Sequence, residues 1–272
     1  MNVLFIGGGN MGRALVGGLL AQGRTRDTIA VVEPDAATRA RLQSEFGVHA
    51  APGIDGDGTA RASTIVLAVK PQHLRQAARS LALHLAGQLV ISIAAGVRLA
   101  DLSRWLAGHA RLVRVMPNTP AMIRRGIAGL YAHPSVDDAG RKRAEDLLNA
   151  VGETMWCERE AQLDAITALS GSGPAYVFYF LEALIEAGQD LGFSPDQARR
   201  LAYATASGAV GLAEQAAEPA AALRAQVTSK AGTTEAAVAV LEARAVKAAF
   251  IAAIRAAAAR ATELGDSLGK DD

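Results

Sequence analysis

The sequence lacks most of what metal and disulfide sites require. Cys157 is the single cysteine among 272 residues, which excludes an internal disulfide and fits a reducing compartment. The histidines form no H-x-x-x-H pair and the carboxylates form no cluster at ligand spacing, so we expect no metal. A G-x-S-x-G elbow, which would carry a nucleophilic serine, is absent as well.

The chain also lacks a strong charge bias and a long apolar run. It has 28 basic and 27 acidic residues without a basic block, which argues against nucleic acid or an anionic membrane surface as partner. We find no run of about 18 strongly apolar residues, as a membrane-spanning helix would need. The first six residues lack the basic region and cleavage site of a signal peptide. We therefore expect a soluble, cytoplasmic protein.

The first candidate site begins where a short apolar run meets a run of glycines. Val3 to Ile6 shows no polar alternation, which predicts a strand buried on both faces of a parallel sheet. After it, Gly7, Gly9 and Gly12 match the G-x-G-x-x-G fingerprint, followed by apolar residues at helical spacing. The first glycine allows a tight turn, the second lets backbone approach a pyrophosphate, and the third brings helix close to strand. Strand, motif and helix together predict dinucleotide binding.

A second strand, Thr28 to Val32, ends at Glu33. In dinucleotide enzymes an acidic residue at this place binds the ribose hydroxyls. The spacing of roughly 25 residues from Gly7 favours that role over an ordinary exposed carboxylate. Glu33 would disfavour a 2′-phosphate, although Arg39 or Arg41 could offset its charge.

Strands and helices continue to alternate, which predicts the fold class. The elements expected next are a helix at 36–46, a strand at 64–69, a helix at 72–85, a strand at 89–93, a helix at 99–106 and a strand at 112–116. This rhythm is typical of a doubly wound parallel sheet of Rossmann type. Ligands bind beyond the carboxyl ends of such strands, so we expect the turns after them to border the cofactor. Two more strands and a helix complete a dinucleotide-binding domain, 1–160.

Beyond Gln162 we find no convincing strand. Ser194 to Gln197 is a strong helix start, with serine at the N-cap and proline at the first position. The following helix carries alanine and glycine on every side, which favours contact with other helices on more than one face. We infer an all-helical dimerisation and substrate domain, 161–272, although burial of this helix within one subunit is the alternative. From Gly265 onward we expect a frayed end.

Between two alanine-rich stretches lies the run Ser229-Lys230-Ala231-Gly232-Thr233-Thr234, which no amphipathic pattern requires. Its glycine and hydroxyl residues would open a concavity of backbone N–H groups at the start of a helix. Such a concavity is a natural holder for a small carboxylate. The alternative is that Thr233 or Thr234 simply caps the helix.

No side chain offers obvious acid–base chemistry, and none of the five histidines stands in a catalytic setting. A nicotinamide cofactor brings its own hydride, so the protein need only position an electrophilic carbon and supply electrostatics. A protonated imine suits such a site because the iminium accepts hydride directly. The Ser229 loop would then hold a carboxylate and offer a hydroxyl to the ring nitrogen.

Several segments occur in the order and form of one known family. They are Phe5 to Gly12, Ala68 to Pro71, Ser92 to Gly96, Arg114 to Pro120, Ser170 to Tyr176 and the Ser229 loop. On these segments, over essentially the whole chain, the sequence resembles pyrroline-5-carboxylate reductase. The resemblance implies reduction of 1-pyrroline-5-carboxylate to L-proline by NADPH or NADH, the last step of proline biosynthesis. It also implies an interlocked homodimer, commonly assembled further into a decamer.

The resemblance also implies roles for individual residues. The implied cofactor contacts, beside Glu33, are Gly7, Gly9, Asn10, Met11, Gly12, Ala68, Val69, Lys70, Pro71, Ala94, Ala95, Gly96, Asn118, Glu160 and Gln226. Gly232 and Thr233 would bind the substrate carboxylate through backbone N–H groups, with Ser229 in the same loop. Thr234 would reach the ring nitrogen through its hydroxyl and is the implied catalytic residue.

Two places depart from the family pattern. The usual loop reads Ser-Pro-Gly-Gly-Thr-Thr, whereas this chain has Lys230 and Ala231 in place of proline and the first glycine. A positive φ at Ala231 would cost roughly 1 kcal/mol, so we expect a negative φ there or a mildly shifted loop. Lys230 either attracts the substrate or faces solvent. Glu33 lies where NADPH-preferring members often carry a small polar or basic residue, which leaves the cofactor preference open.

Two other functions fit the same layout. A β-hydroxyacid dehydrogenase would use a lysine on a C-terminal helix as its acid, and Lys247 is the candidate there. A nucleotide-sensing oligomer without catalytic activity would leave the Ser229 loop without a task.

Overall fold

The computed structural model describes residues 2–270. This part of the chain contains one eight-stranded sheet, in the order β3-β2-β1-β4-β5-β6-β7-β8. Its strands are Val3–Ile6 (β1), Ile29–Val32 (β2), His49–Ala51 (β3), Thr64–Leu67 (β4), Leu89–Ser92 (β5), Leu112–Met116 (β6), Gly126–Ala132 (β7) and Gly152–Trp156 (β8).

Helices flank the sheet and then make up the rest of the chain. Those among the strands are Asn10–Ala21 (α1), Ala36–Phe46 (α2), Gly56–Arg61 (α3), Pro71–Ala82 (α4), Leu99–Trp105 (α5) and Asp138–Leu148 (α6). Those that follow are Gln162–Ile166 (α7), Gly173–Asp190 (α8), Pro195–Gln215 (α9), Ala220–Gln226 (α10), Thr233–Ala243 (α11) and Val246–Leu268 (α12). A single π-turn, Thr167–Gly171, continues α7 towards α8.

The central strands are buried on both faces, as their unbroken apolar runs predict. Every residue of β1, β4 and β5 is buried. Successive side chains of β1 alternate between two apolar layers: Phe5 packs into the layer on one face and Ile6 into the layer on the other. Each fully buried Leu, Ile or Phe stabilises the fold by about 1.5–3 kcal/mol.

The predicted Rossmann-type sheet is confirmed, but its last two strands, β7 and β8, run opposite to the other six. Strands β1 to β6 all run parallel, so their carboxyl ends meet at one edge of the sheet. β7 pairs antiparallel with β6 through Val113 and Ala132, and β8 runs parallel to β7. The prediction omitted β3 and α3, because three residues beginning with the exposed His49 and a six-residue helix leave no periodic signal.

The described chain divides into two compact units. One comprises the residues up to Ser172 together with those from Ala257 onward, and the other comprises Gly173–Ala256. The domain boundary predicted at residue 160 stays a prediction. The sheet-containing unit also includes α7 and the end of α12. No helix of the described residues is both long enough and apolar enough to cross a bilayer.

The helical unit confirms the predicted start of α9 and rules out the burial of that helix within one chain. Ser194 and Gln197 form a reciprocal capping box, which satisfies two backbone N–H groups. Most of α9 is exposed, and no described atom lies within 4 Å of a Cβ placed on Gly208 or Gly211. On α8, Tyr179 is 77% exposed. Apolar exposure of this kind marks an interaction surface.

The expectation of a frayed end from Gly265 was wrong. α12 continues to Leu268, and Gly265 is buried. The physical reason is tertiary: the Arg98 guanidinium lies against Gly265, with its Nη2 3.0 Å from the position of an added Cβ, and pairs with Asp266 at 2.7 Å. Glycine often ends a helix, but Gly265 lies inside α12, where the absence of a side chain makes room for Arg98.

Candidate active site

The turn after β1 is built on two close backbone approaches. Gly7 has φ +106°, and a Cβ there would lie 2.6 Å from the carbonyl oxygen of Ala68. A Cβ on Gly12 would lie 2.5 Å from the Gly7 oxygen. Real Cβ contacts are longer, so only glycine allows α1 to begin this close to β1 and β4.

The start of α1 is an open anion cradle. Gly9 is the N-cap, is exposed, makes no side-chain cap, and has no described atom within 4 Å of its Cβ position. The N–H groups of the first helical turn have no intrahelical acceptor. Asn10 is exposed, whereas Met11 is half-buried and packs against the apolar core. This donor set fits a pyrophosphate, since the helix dipole adds partial positive charge.

Glu33 lies where β2 ends, beside the glycine turn. Its carboxylate accepts hydrogen bonds from the Gly8 N–H (2.8 Å) and the Asp35 N–H (3.0 Å). Arg39 donates to the Glu33 carbonyl (2.8 Å) and the Pro34 carbonyl (2.7 Å). The guanidinium of Arg41 instead lies 3.8 Å from Glu45. An anion therefore stands fixed at the place where the ribose of a dinucleotide binds.

The two predicted cofactor-lining turns lie along the same sheet edge. The Ala68 N–H donates to the Ile6 carbonyl (2.7 Å) and the Ile93 N–H to the Leu67 carbonyl (3.1 Å). Residues 68–71 therefore begin beside the glycine turn, with Lys70 as N-cap of α4 and Pro71 as its first residue. Residues 94–96 follow the next strand, and Gly96 has φ +77°. The structure thus brings these turns together with Gly7, Gly9 and Gly12.

Asn118 follows β6 and is held at both ends of its side chain. Its Oδ1 accepts from the Ile127 N–H (3.0 Å), and its Nδ2 donates to the Ser170 Oγ (3.2 Å). Asn118 is buried, so these bonds fix it. Ser170 could not be predicted as its partner, because the two residues are 52 positions apart.

Glu160 is engaged within the protein. Its Oε1 accepts from the Leu99 N–H (2.8 Å) and from Arg114 Nη1 (3.1 Å). Its predicted contact with the cofactor therefore stays a prediction. Arg114, only 3% exposed, was missed as a candidate, although a charged residue inside the apolar run of β6 is the signal of a buried ion pair.

The Ser229 loop belongs to the helical unit and begins α11. Gly232 is the N-cap and makes no side-chain cap, and Thr233 is the first helical residue. The alternative that a threonine caps this helix is therefore wrong. The Gly232 N–H donates to the Ser229 carbonyl at 3.0 Å. Thr234 is half-buried, whereas Gln226, at the end of α10, is exposed.

Ala231 contradicts the expected negative φ. Its φ is +58°, in the left-handed region where an alanine is strained by roughly 1 kcal/mol or more. A short hydrogen bond from the Ala231 N–H to Glu235 Oε2, 2.6 Å, offsets that strain. Lys230 is exposed, in keeping with the solvent-facing interpretation.

The remaining titratable candidates do not form a reactive centre. Burial raises the pKa of the Cys157 thiol, so the thiol stays neutral at pH 7. Burial lowers the pKa of His109, whose Nε2 lies 2.9 Å from the Gln88 carbonyl. Lys247, the candidate acid of the β-hydroxyacid dehydrogenase alternative, is exposed on α12.

The glycine cradle, the acidic strand end and the parallel sheet define a dinucleotide-binding domain of Rossmann type. Two families of known domains match its parts: "NADP oxidoreductase coenzyme F420-dependent" over residues 2–96 and "Pyrroline-5-carboxylate reductase dimerisation" over residues 160–264. The second match assigns the helical region to a dimerisation domain.

Full-length relatives make the assignment specific. The pyrroline-5-carboxylate reductase of Pseudomonas aeruginosa is 43% identical over 98% of this chain and 98% of its own. The solved reductase of Coxiella burnetii has TM-score 0.89 and 41% identity, covering 97% of this chain and 98% of its own. That of Plasmodium falciparum, solved with NADP bound, has TM-score 0.86 and 26% identity over 97% and 98%. The chain belongs to the pyrroline-5-carboxylate reductase family, which confirms the resemblance.

The cradle geometry predicts opposite effects for two glycine substitutions. Gly9→Ala adds a methyl group to open space and keeps an allowed φ of −65°, so it should leave the melting temperature unchanged while weakening NADH binding. Gly12→Ala forces a methyl group against the Gly7 carbonyl and should destabilise the fold by about 1–3 kcal/mol. Calorimetric melting and NADH titration measure the two effects. Equal NADH affinity in Gly9→Ala and wild type would remove Gly9 from the cofactor site.

Proposed function

We propose that this protein reduces 1-pyrroline-5-carboxylate to L-proline with NADPH or NADH. The observation that carries the proposal is the Ser229 loop: an uncapped helix start with a half-buried threonine hydroxyl, in a chain that also holds a dinucleotide cradle. When bound, the nicotinamide supplies the hydride, and the imine carbon accepts it.

The loop is suited to a small carboxylate. The first N–H groups of α11 lack an intrahelical acceptor, and Gly232 leaves them without a side-chain cap. We infer that Gly232 and Thr233 hold the substrate carboxylate there, with the Gly232 N–H shared between that carboxylate and the Ser229 carbonyl, to which it donates at 3.0 Å. Ser229 shapes the turn through this bond. The partial positive charge of the helix start favours this anion.

Thr234 supplies the hydroxyl for the ring nitrogen. As the second residue of α11 it lies in the same helical turn as the carboxylate donors. An iminium needs no general acid before hydride arrives, and the neutral amine formed needs only a hydrogen-bonding partner. A hydroxyl therefore suffices where other reductases use a histidine or lysine.

The remaining site residues are proposed for the cofactor. Gly7, Gly9 and the first residues of α1, Asn10 and Met11, offer backbone to the pyrophosphate, with Gly12 allowing that approach. The other proposed contacts are Glu33, Ala68, Val69, Lys70, Pro71, Ala94, Ala95, Gly96, Asn118, Glu160 and Gln226.

Turnover of the imine tests this function. We expect NAD(P)H oxidation with 1-pyrroline-5-carboxylate. We expect no NAD(P)⁺ reduction with 3-hydroxyacids. Thr234→Ala should lower kcat/KM for the imine by about 10²-fold, because one hydrogen-bond donor at the reacting atom is lost.

Two variants serve as controls for that measurement. Thr234→Ser keeps the hydroxyl and should retain most of the activity, and Thr228→Ala removes a hydroxyl that donates to the Arg224 carbonyl within α10 and the following turn, so it should not alter kcat/KM. The function is wrong if the wild type turns over a 3-hydroxyacid faster than the imine. The role of Thr234 is wrong if Thr234→Ala keeps full kcat/KM.

We propose that Glu33 makes NADH the preferred donor. Its carboxylate is fixed by the Gly8 and Asp35 N–H groups, so a 2′-phosphate would meet a negative charge that cannot turn away. The Nη1 group of Arg39 donates to two backbone carbonyls, those of Glu33 and Pro34.

Glu33→Gln should raise the NADPH-to-NADH ratio of kcat/KM by about tenfold or more, since it removes a like-charge contact. Asp146→Asn, which removes an exposed carboxylate paired with Lys142 at 2.8 Å on α6, is the matched control and should leave the ratio unchanged. A wild type that already favours NADPH would contradict the proposal.

We further propose that the protein is a cytoplasmic homodimer that assembles into a decamer. The dimerisation family match over residues 160–264 and the exposed apolar side chains of α8 and α9 support a multimer. Light scattering of the purified protein should give a mass of ten chains, each of 28.1 kDa. A mass of one chain would contradict both levels of assembly, and a mass of two would contradict the decamer.

A further inference from the structure

The end of α12 packs directly on one of the cofactor-lining turns. Gly96 is buried with φ +77°, and a Cβ on it would lie 2.8 Å from Leu268 Cδ1 and 3.6 Å from Leu264 Cβ. The turn therefore has glycine for two reasons, its left-handed φ and the contact with α12. Residues 264–270, hereafter the C-terminal clamp, form one side of the turn.

Arg98 ties the clamp to the same turn through charge. It is the N-cap of α5, two residues after Gly96. Its Nη2 lies 2.7 Å from Asp266 Oδ1, and its Nη1 lies 3.5 Å from Asp164 Oδ2. The guanidinium crosses α12 at Gly265, where a side chain would block it.

Two further arginines hold the clamp from neighbouring helices. Arg104 on α5 donates to the Gly269 carbonyl at 2.6 Å, and Arg75 on α4 donates to the Lys270 carbonyl. α4 begins at the other cofactor-lining turn, Ala68 to Pro71, and α5 begins just after Gly96. The clamp therefore joins the two helices whose first residues border the cofactor.

A largely buried ion network contacts the segment that follows the turn, at Leu99. Arg114 Nη1 lies 3.1 Å from Glu160 and its Nη2 lies 3.3 Å from Asp164. Glu160 also accepts the Leu99 N–H at 2.8 Å. Because this network is buried, removing a member leaves an uncompensated charge and threatens the fold. Asp266, 63% exposed, can be changed with little effect on stability.

We propose that Asp266 is a positioning residue, which through Arg98 keeps the turn Ala94 to Gly96 in the conformation that binds the cofactor. The inference rests on the proposed cofactor role of this turn. Asp266 touches neither cofactor nor substrate in this account. It acts by raising the fraction of molecules in which the turn is ready to bind, and apparent affinity scales with that fraction.

Asp266→Asn tests the proposal, with Glu263→Gln as the matched control. Glu263 lies on the same helix, is equally exposed at 63% and makes a 2.8 Å pair with Arg260. We expect Asp266→Asn to raise the Kd and KM for NADH by about five- to tenfold, with kcat and the KM for the imine unchanged. Glu263→Gln should change none of these. Asp266→Glu should recover part of the affinity, because it restores the charge.

Direct NADH titration without substrate separates the possible outcomes. If the wild type binds no dinucleotide, the proposed function fails. If the wild type binds NADH and Asp266→Asn binds it equally well, the positioning role is wrong. The positioning role would also be overturned if Asp266→Asn lowered the melting temperature, kcat and kcat/KM for both NADH and the imine together, because that pattern indicates general destabilisation. Leu268→Ala should likewise raise the Kd for NADH, and an unchanged Kd would contradict the clamp.

Discussion

The cofactor edge of this protein depends on how closely two backbones approach. α1 can begin against β1 and β4 only because Gly7 and Gly12 have no side chains, with 2.6 and 2.5 Å separating their Cβ positions from carbonyl oxygens. Because of that approach, α1 begins at the sheet edge, and its N-cap Gly9 has open space at its Cβ position. The Gly8 N–H, inside the same turn, also anchors Glu33. The proposed pyrophosphate cradle and the proposed ribose contact thus share one backbone constraint.

Charge in this fold serves mainly to hold structure. Arg114 lies inside an apolar strand and is compensated by Glu160 and Asp164. Removing one partner of such a buried pair costs about 3–5 kcal/mol. Both carboxylates are therefore engaged in holding the Arg114 guanidinium. A reaction that needs no carboxylic acid, such as hydride transfer to an iminium, suits a protein built this way.

In the Ser229 loop, a tertiary contact prevails over the local backbone preference. Alanine avoids a positive φ by about 1–2 kcal/mol, yet Ala231 adopts +58°. The bond from its N–H to Glu235 is charge-assisted and short, at 2.6 Å, and such bonds are among the stronger ones in proteins. A loop whose usual glycine is absent therefore keeps its turn through a carboxylate on the next helix.

The sequence by itself determined the elements whose signals are local. Glycine spacing, unbroken apolar runs and the Ser194 cap depend on neighbours a few residues apart, and they predicted the Rossmann-type sheet, the cradle and the start of α9. Tertiary structure alone decided the antiparallel β7, the positive φ at Ala231 and the extension of α12 beyond Gly265. The last depends on Arg98 meeting Asp266, 168 positions away. Such a contact leaves no periodic trace in the sequence, because its energy exists only once the chain has folded.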